Sequence, residues 1–279
     1  MESHDLWIFK NVAGLQSVSK AAEKLGYVQS NVSQRIKSLE DELGVKLFMR
    51  NNRGVTLTEE GNILLEHTNQ ILLLMDEAKS LVNPKKWKES LTLGASQTIS
   101  AVRIPQAFSS FLRENKNIDV KVRTNDKKKL QEMLSYGEID GVFINGTYNY
   151  LQFETVYSYF EKIVLISPKH IQSKTQQNQT LIVNSDTNCI YRNKILDFSK
   201  ERNFQDPAIM EFDSLESILQ AVNDGLGISI IPADVANSRK ELQIQFTELS
   251  ETLKIDFIIK KRKQQPQSLK KFIRFLQRI

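Results

Sequence analysis

The chain has 279 residues, 40% hydrophobic and 25% charged, a balance that excludes a disordered chain and fits one large globular domain or two or three smaller ones. No stretch approaches the roughly 20 apolar residues of a membrane helix, and the N-terminus lacks a signal-peptide pattern, so we expect a cytoplasmic protein. The net charge of +5 is compatible with nucleic-acid binding but does not locate it. Residues 1–58 carry eight Lys/Arg against six Asp/Glu, whereas residues 252–279 carry nine against Asp256 alone.

Three helices are predicted at the start of the chain. The first ends near Gly14, and a short second one ends at Gly26, where glycine suits a left-handed C-terminal residue. The third runs over Gln29–Leu43. One face of this third helix is apolar and carries Val32, Ile36, Leu39 and Leu43. A short helix, a glycine turn and a longer helix with a polar face are typical of a helix-turn-helix.

The polar face of the third helix is a candidate DNA-reading surface. Amide side chains can make paired hydrogen bonds to adenine, and hydroxyls reach base edges or phosphate, while cationic side chains contact mainly phosphate. The candidate residues are Gln29, Ser30, Asn31, Ser33, Gln34, Arg35 and Lys37. A solvated helix face is the alternative, and the helix-turn-helix spacing favours DNA reading.

Two short strands about a polar turn are predicted between Leu47 and Thr58. Arg50 and Arg53 would lie at the tip of this hairpin, where a long cationic side chain can reach the DNA backbone or a minor groove. The segment is therefore a candidate wing. A solvated hairpin with two arginines is the alternative.

A long helix is predicted from Thr58, its expected N-cap, to Pro84, which ends it. Leu64, His67, Ile71, Leu74, Ala78 and Leu81 recur at alternating spacings of three and four, as in paired helices. We therefore assign dimerisation to Leu64, Ile71, Leu74, Ala78 and Leu81. A single helix buried within a monomer is the alternative, and further apolar residues predict that the helix also packs on the reading head.

Beyond a polar linker at 83–88, short apolar runs alternate with helical segments and predict a mostly parallel sheet with covering helices. We expect two α/β lobes, lobe I at about 90–162 and 264–279 and lobe II at about 163–263. A cleft between such lobes is the usual place for a small ligand. The basic C-terminal segment predicts a helix with an apolar stripe and a solvated cationic face.

Four segments in fixed order resemble the LysR-type transcriptional regulators: 19–25, 29–40, 43–50 and 57–61. Beyond the linker the resemblance is looser and rests on Leu93-Gly94 with Ser96 and Thr98, on 137–141 and on 225–228. The resemblance implies an α+β, multi-domain chain. Its parts are a winged helix-turn-helix at 1–58, a dimerising linker helix and hinge at 59–86, and a two-lobed α/β effector domain at 87–279, similar to periplasmic solute-binding proteins.

The resemblance also implies the partners: double-stranded promoter DNA, a small-molecule effector, further copies of the chain in a homodimer or homotetramer, and RNA polymerase as a further candidate. We expect no membrane partner, cofactor, metal or catalytic residue. An enzyme is one alternative, but the sequence shows no glycine-rich phosphate loop and no nucleophile elbow, and its three histidines are dispersed. A solute-binding protein without a DNA role is another, and the reading head disfavours it.

Effector contacts are expected where the resembling segments place strand ends and helix starts at the cleft. The candidate residues are Ser96, Gln97, Thr98, Phe143, Asn145, Arg192 and Asp213. Arg192 stands in a Cys-Xaa-Tyr-Arg stretch that resembles one found in some members, and its guanidinium suits an anionic effector. Simple helix capping is the alternative for each polar residue. Cys189, the only cysteine, excludes a disulfide within one chain, and a buried structural role is favoured over a reactive one.

Overall fold

We describe the fold from a computed structural model that covers residues 1–51, 54–84, 86–101, 103–169, 179–239, 241–262 and 265–278. The N-terminal domain, hereafter the head, contains three helices and a hairpin. These are α1 (Ser3–Leu15), α2 (Val18–Leu25), α3 (Gln29–Leu43), β1 (Phe48–Asn51) and β2 (Gly54–Leu57). Arg53, predicted at the tip of the wing, lies outside the described residues.

Local signals explain why the head folds as predicted. Ser17 caps α2 by accepting a hydrogen bond from the Lys20 amide at 3.2 Å. Gly26 ends α2 in the left-handed region, with φ of 71°. The apolar faces of α1 to α3 meet in one core, in which Phe9, Val32 and other apolar side chains are fully buried. Leu43 is the exception on the predicted face of α3, since it is exposed.

Glu40 joins α3 to the wing. Its buried carboxylate accepts hydrogen bonds from the amides of Leu47 (2.9 Å) and Phe48 (3.3 Å) and from the Lys46 ammonium at 2.9 Å. Burial works against the charged carboxylate, but these three hydrogen bonds outweigh it and hold the pKa of Glu40 below its ordinary value. The position of the hairpin therefore depends on one ionised side chain.

The linker helix α4 (Glu59–Val82) follows the hairpin directly. The Thr58 hydroxyl caps it by accepting from the Gly61 amide at 2.9 Å, as predicted. Leu65 and the half-buried Leu64 pack on the core of the head. Further along, the Asn69 side-chain amide donates to the Tyr136 carbonyl of the C-terminal domain at 2.5 Å. Helix α4 is thus shared by the head and the domain beyond it.

The C-terminal domain is built on a six-stranded sheet of order β4-β3-β5-β10-β6-β9 and a parallel pair, β7-β8, which a bridge from Leu181 to Ile228 joins to lobe II. The strands are β3 (Glu89–Ala95), β4 (Ile118–Thr124), β5 (Gly141–Asn145), β6 (Phe153–Pro168), β7 (Leu181–Asn184), β8 (Ile209–Phe212), β9 (Ser229–Pro232) and β10 (Ile244–Lys260). The covering helices are α5 (Gln97–Ser100), α6 (Arg103–Glu114), α7 (Lys127–Ser135), α8 (Ile190–Glu201), α9 (Leu215–Asn223), α10 (Ala233–Ser238) and α11 (Gln267–Leu276).

Two expectations about this domain were wrong. The main sheet is mixed, because β10 runs antiparallel to both β5 and β6, and β9 runs antiparallel to β6. The boundary of lobe II at 263 was also wrong. Strand β10 returns to lobe I well before that point, since Ile255–Ile259 pair with Gly141–Asn145 of β5. The two lobes are therefore joined by two long antiparallel strands, β6 and β10.

The Glu40 contacts predict a measurable loss when the carboxylate is removed. Glu40→Ala leaves two buried amides without their acceptor and should lower the free energy of unfolding of the head by about 1–3 kcal/mol. Because the pKa of Glu40 is lowered in the folded chain, this contribution is present at neutral pH and is lost as the pH falls through the folded-state pKa. Asp41→Ala, at the exposed neighbouring position, is the control, and calorimetric unfolding of the two variants makes the comparison. Equal unfolding temperatures would contradict the role of Glu40.

Candidate functional site

The exposed face of α3 presents the predicted DNA-reading residues. Gln29, Ser30, Asn31, Gln34 and Lys37 are exposed, and Ser33 is half-buried. The Gln29 side-chain oxygen accepts a hydrogen bond from the Ser19 hydroxyl at 3.0 Å, which ties the start of α3 to α2. The remaining side chains of this face make no side-chain hydrogen bond within the described part of the chain, and they are available to an external partner.

Arg35 is placed differently from its neighbours. Its guanidinium forms an ion pair with Asp5 of α1 at 2.7 Å and is only 40% exposed. This contact holds α1 against α3, so Arg35 has a structural partner that the sequence did not reveal. Arg50 is exposed on β1, at the predicted wing.

The predicted seam of α4 is only partly exposed to solvent. Leu74 is 58% exposed and Leu81 is 65% exposed, and Ala78 and His67 are also exposed, while Ile71 is half-buried. Leu64 was placed on this seam by its spacing, but it packs on the core of the head. Ile63 is 57% exposed and lies almost directly in line with Leu74 at 100° per residue. The open apolar stripe therefore consists of Ile63, His67, Leu74, Ala78 and Leu81.

A cavity of about 300 Å³ lies between the two lobes. The strands β3, β4, β5, β7 and β8 all end at it, which is the usual position of a ligand site in α/β sheets. Five of the predicted effector residues line it: Ser96, Gln97, Thr98, Asn145 and Asp213. The Ser96 hydroxyl also caps α5, accepting from the Ile99 amide at 3.4 Å.

Two predicted effector residues are not part of this cavity. The Phe143 side chain is 4% exposed and packs in the core of lobe I, with its ring centroid 4.5 Å from that of Phe257. The Arg192 guanidinium donates to the Asn184 carbonyl at 2.7 Å and pairs with Glu211 at 2.8 Å. Arg192 thus links α8 to β7 and β8, and this ion pair already occupies the group expected to bind an anion.

The cavity also contains residues that the sequence analysis missed. On lobe I they are Thr124 to Lys127, which follow β4, and on lobe II they include Asn184, Ser185 and Asp186, which follow β7. Both groups follow the end of a strand, as the other candidates do, so the rule about strand ends applies to them as well. Lys127 is the only cationic side chain among the described residues that line the cavity.

Cys189 stands at the N-cap position of α8 and also lines the cavity. Burial raises the pKa of its thiol above the ordinary value. The neutral thiol therefore predominates at neutral pH. Within the described ranges there is no helix long and apolar enough to cross a membrane, and no cluster of His, Cys, Asp and Glu side chains arranged to hold a metal ion.

Comparisons with known proteins bear on both domains. Residues 3–62 match the model described as the bacterial regulatory helix-turn-helix protein of the lysR family, and residues 85–279 match the LysR substrate binding domain. A Bacillus subtilis protein named uncharacterized HTH-type transcriptional regulator YusT is 36% identical over 266 residues, which cover 94% of this chain and 90% of that protein. The HTH-type transcriptional regulator YofA of Bacillus velezensis is 37% identical over 263 residues, which cover 92% and 91%.

Solved structures share the whole architecture. A full-length OxyR variant from Pseudomonas aeruginosa has a TM-score of 0.72 at 21% identity, covering 99% of this chain and 95% of that one. CbnR, described as a LysR family transcriptional regulator, has a TM-score of 0.68 at 22% identity, covering 100% and 99%. CbnR complexed with its target DNA has a TM-score of 0.67 at 22% identity, covering 100% and 99%.

The winged helix-turn-helix and the two-lobed domain together define a bacterial transcription regulator. The chain belongs to the LysR family. As a LysR-type regulator it combines a DNA-binding helix-turn-helix with a domain that binds a small-molecule effector. The predicted family, fold class and function are confirmed.

The half-buried, neutral thiol of Cys189 predicts slow chemical modification. At mildly alkaline pH we expect Ellman's reagent to react with the folded protein at least tenfold more slowly than with the denatured protein, because both burial and the raised pKa limit the thiolate. As Cys189 is the only cysteine, the absorbance change reports on it alone. A native rate close to the denatured rate would contradict this assignment.

Proposed function

We propose that the exposed face of α3 reads the promoter sequence and that the wing contacts its backbone. Ser30, Asn31, Ser33 and Gln34 supply hydroxyl and amide groups of the kind that reach base edges, while Lys37 and Arg50 supply charges for phosphate. The observation that carries this proposal is the exposure of the polar face of α3 beside an apolar face buried in the core. The DNA contact of Arg53 and the contact with RNA polymerase remain predictions.

We infer that two chains pair through the open stripe of α4. Large apolar side chains of α4 are exposed in a single chain, although a helix in water normally buries such a stripe. Pairing two α4 helices would cover Ile63, Leu74 and Leu81 and place two heads against a roughly two-fold symmetric site.

We propose that the effector occupies the interlobe cavity and changes the arrangement of the heads. The supporting contacts connect lobe I to α4: the Lys260 ammonium pairs with Glu66 at 2.5 Å, and Asn69 bonds to the Tyr136 carbonyl. Lys260 is the last residue of β10, one of the two strands that cross between the lobes. A ligand that favours one angle between the lobes would thereby favour one position of α4.

Catalysis is the competing function of an α/β cleft, and we propose that this cleft binds without turnover. The relatives that match over most of the chain are named as transcriptional regulators. We also propose that the protein acts in the cytoplasm, because bacterial promoter DNA is located there.

Removing the reading groups should reduce sequence preference more than overall affinity. We expect Ser33→Ala combined with Gln34→Ala to lower the ratio of specific to nonspecific affinity at least tenfold, since a paired base contact contributes about 1–3 kcal/mol of discrimination. Arg50→Gln should weaken both kinds of binding alike and reduce the salt dependence by about one phosphate contact.

Gel shifts across salt concentrations test both expectations. They compare the DNA upstream of the protein's own gene with an unrelated fragment. If the double variant lost specific and nonspecific affinity equally, α3 would not be the reading helix.

A charge within the α4 stripe should separate the chains. Leu74→Glu places two carboxylates against each other in the proposed interface, so we expect a shift from dimer or tetramer towards monomer at micromolar concentration. Lys79→Glu lies about 140° around the same helix and serves as the control, because it changes the helix charge outside the stripe. Sedimentation analysis gives the masses. A Leu74→Glu chain that sediments like the parent would disprove this interface.

A further inference from the structure

The two walls of the interlobe cavity carry different charges. Lobe I contributes Lys127, and lobe II contributes Asp186 and Asp213. Asp126 also borders the lobe I wall, but its carboxylate accepts a hydrogen bond from the Lys129 amide at 2.9 Å and caps α7. Among the described residues the cavity therefore has its one ammonium on lobe I, beside a carboxylate that caps a helix through one oxygen, and two carboxylates on lobe II.

Lys127 has no counter-ion in the described part of the chain. It is half-buried, and burial lowers the pKa of its ammonium below the ordinary value. Its position in the first turn of α7 is unfavourable for a cation, because the helix dipole is positive there. Lys129 in the same turn lies 3.6 Å from Glu132, whereas Lys127 forms no such pair. A bound carboxylate would pair with the Lys127 ammonium and would also interact favourably with the positive end of the helix dipole.

The opposite wall offers acceptors. Asp213, at the residue before the N-cap of α9, is exposed and makes no side-chain hydrogen bond or ion pair among the described residues. Asp186 uses one carboxylate oxygen to accept from the Asn188 amide at 2.9 Å, which leaves the other oxygen for a ligand. These two carboxylates suit a protonated amine.

The size and the lining of the cavity further restrict the class of ligand. A volume of about 300 Å³ lies at the lower end of the range of about 300–1,000 Å³ found for small-molecule sites, so the ligand is small. Between the charged walls the lining consists mainly of hydroxyl and amide side chains, among them Ser96, Gln97, Thr98, Asn125, Asn145 and Asn184. These side chains can donate and accept hydrogen bonds, which suits a ligand with several polar atoms.

We propose that the effector is a small zwitterion of the amino-acid type, with its carboxylate on the lobe I wall at Lys127 and its protonated amine on the lobe II wall at Asp213 and Asp186. This proposal rests on the proposed function, in which the effector binds in this cavity. A ligand with one charge on each lobe binds more strongly when the lobes are close together, so its binding energy favours closure. A simple carboxylate would interact with one lobe only and would face the carboxylates of the other.

The test measures thermal shifts of the purified full-length protein with each of the twenty standard amino acids at millimolar concentration. At least one should raise the unfolding temperature in a dose-dependent way. Calorimetric titration then compares that amino acid with its methyl ester, which lacks the anion, and with its deaminated acid, which lacks the cation. We expect each analogue to bind at least tenfold more weakly.

Variants assign each charge to its wall. Lys127→Gln should abolish the preference for the amino acid over its methyl ester, and Asp213→Asn should abolish the preference over the deaminated acid. Lys128→Gln is the matched control, because it is exposed on the same turn of α7 and does not line the cavity. Unchanged preferences in the first two variants would overturn the proposal.

The outcomes separate this proposal from the function on which it rests. If no amino acid shifts the unfolding temperature of a protein that still binds its promoter, the zwitterion is disproved. If a sugar or a dicarboxylate binds instead and slows the reaction of Cys189 with Ellman's reagent, the cavity is the effector site and only the ligand class is wrong. Both proposals fail if a ligand changes DNA binding, its affinity is the same in Lys127→Gln and Asp213→Asn, and the rate at which Cys189 reacts with Ellman's reagent does not change.

Discussion

The antiparallel pairing of β6 with β10 is the constraint on which the C-terminal domain depends. These strands of 16 and 17 residues run through both lobes. In lobe I, β10 also pairs with β5, and in lobe II, β6 also pairs with β9. Their register is irregular between Glu248 and Thr252, where β10 passes from one lobe to the other. An irregularity of this kind interrupts the ladder locally and permits bending. The crossing near Glu248 and Thr252 is therefore a place where the backbone can accommodate a change in the angle between the lobes.

The head was predictable because its signals are local. Ser17, Gly26 and Thr58 define helix ends through contacts within a few residues, and the apolar spacing of α3 identifies its buried face. The C-terminal domain depends on pairings between distant segments, which periodicity does not contain. Nothing in residues 244–260 alone indicates that their second half pairs with β5, about 110 residues earlier, so the lobe boundary was misplaced.

Depth along a strand and contacts between distant segments explain the errors in the predicted site. Phe143 and Asn145 share a face of β5, but Phe143 lies two residues further into the strand, about 7 Å from its end, where Phe257 and Phe272 cover it. Arg192 was assigned from a resembling tetrapeptide, and its partner Glu211 lies on a neighbouring parallel strand that the sequence does not bring near it. The cation of the cavity comes instead from Lys127.

Strand β10 also connects the two lobes to α4, the helix that carries the head. It starts in lobe II, crosses at the irregular register, and ends in lobe I at Lys260, whose ammonium bonds both to the Ser135 carbonyl and to Glu66 of α4. A paired strand transmits displacement along its length, because its register with two neighbours resists sliding. The bend between the lobes and the contact with α4 therefore lie on one continuous element. Since α4 carries the head on one side and the open apolar stripe on another, a change in lobe angle would act, in the dimer proposed above, on the helix that sets the distance between two heads.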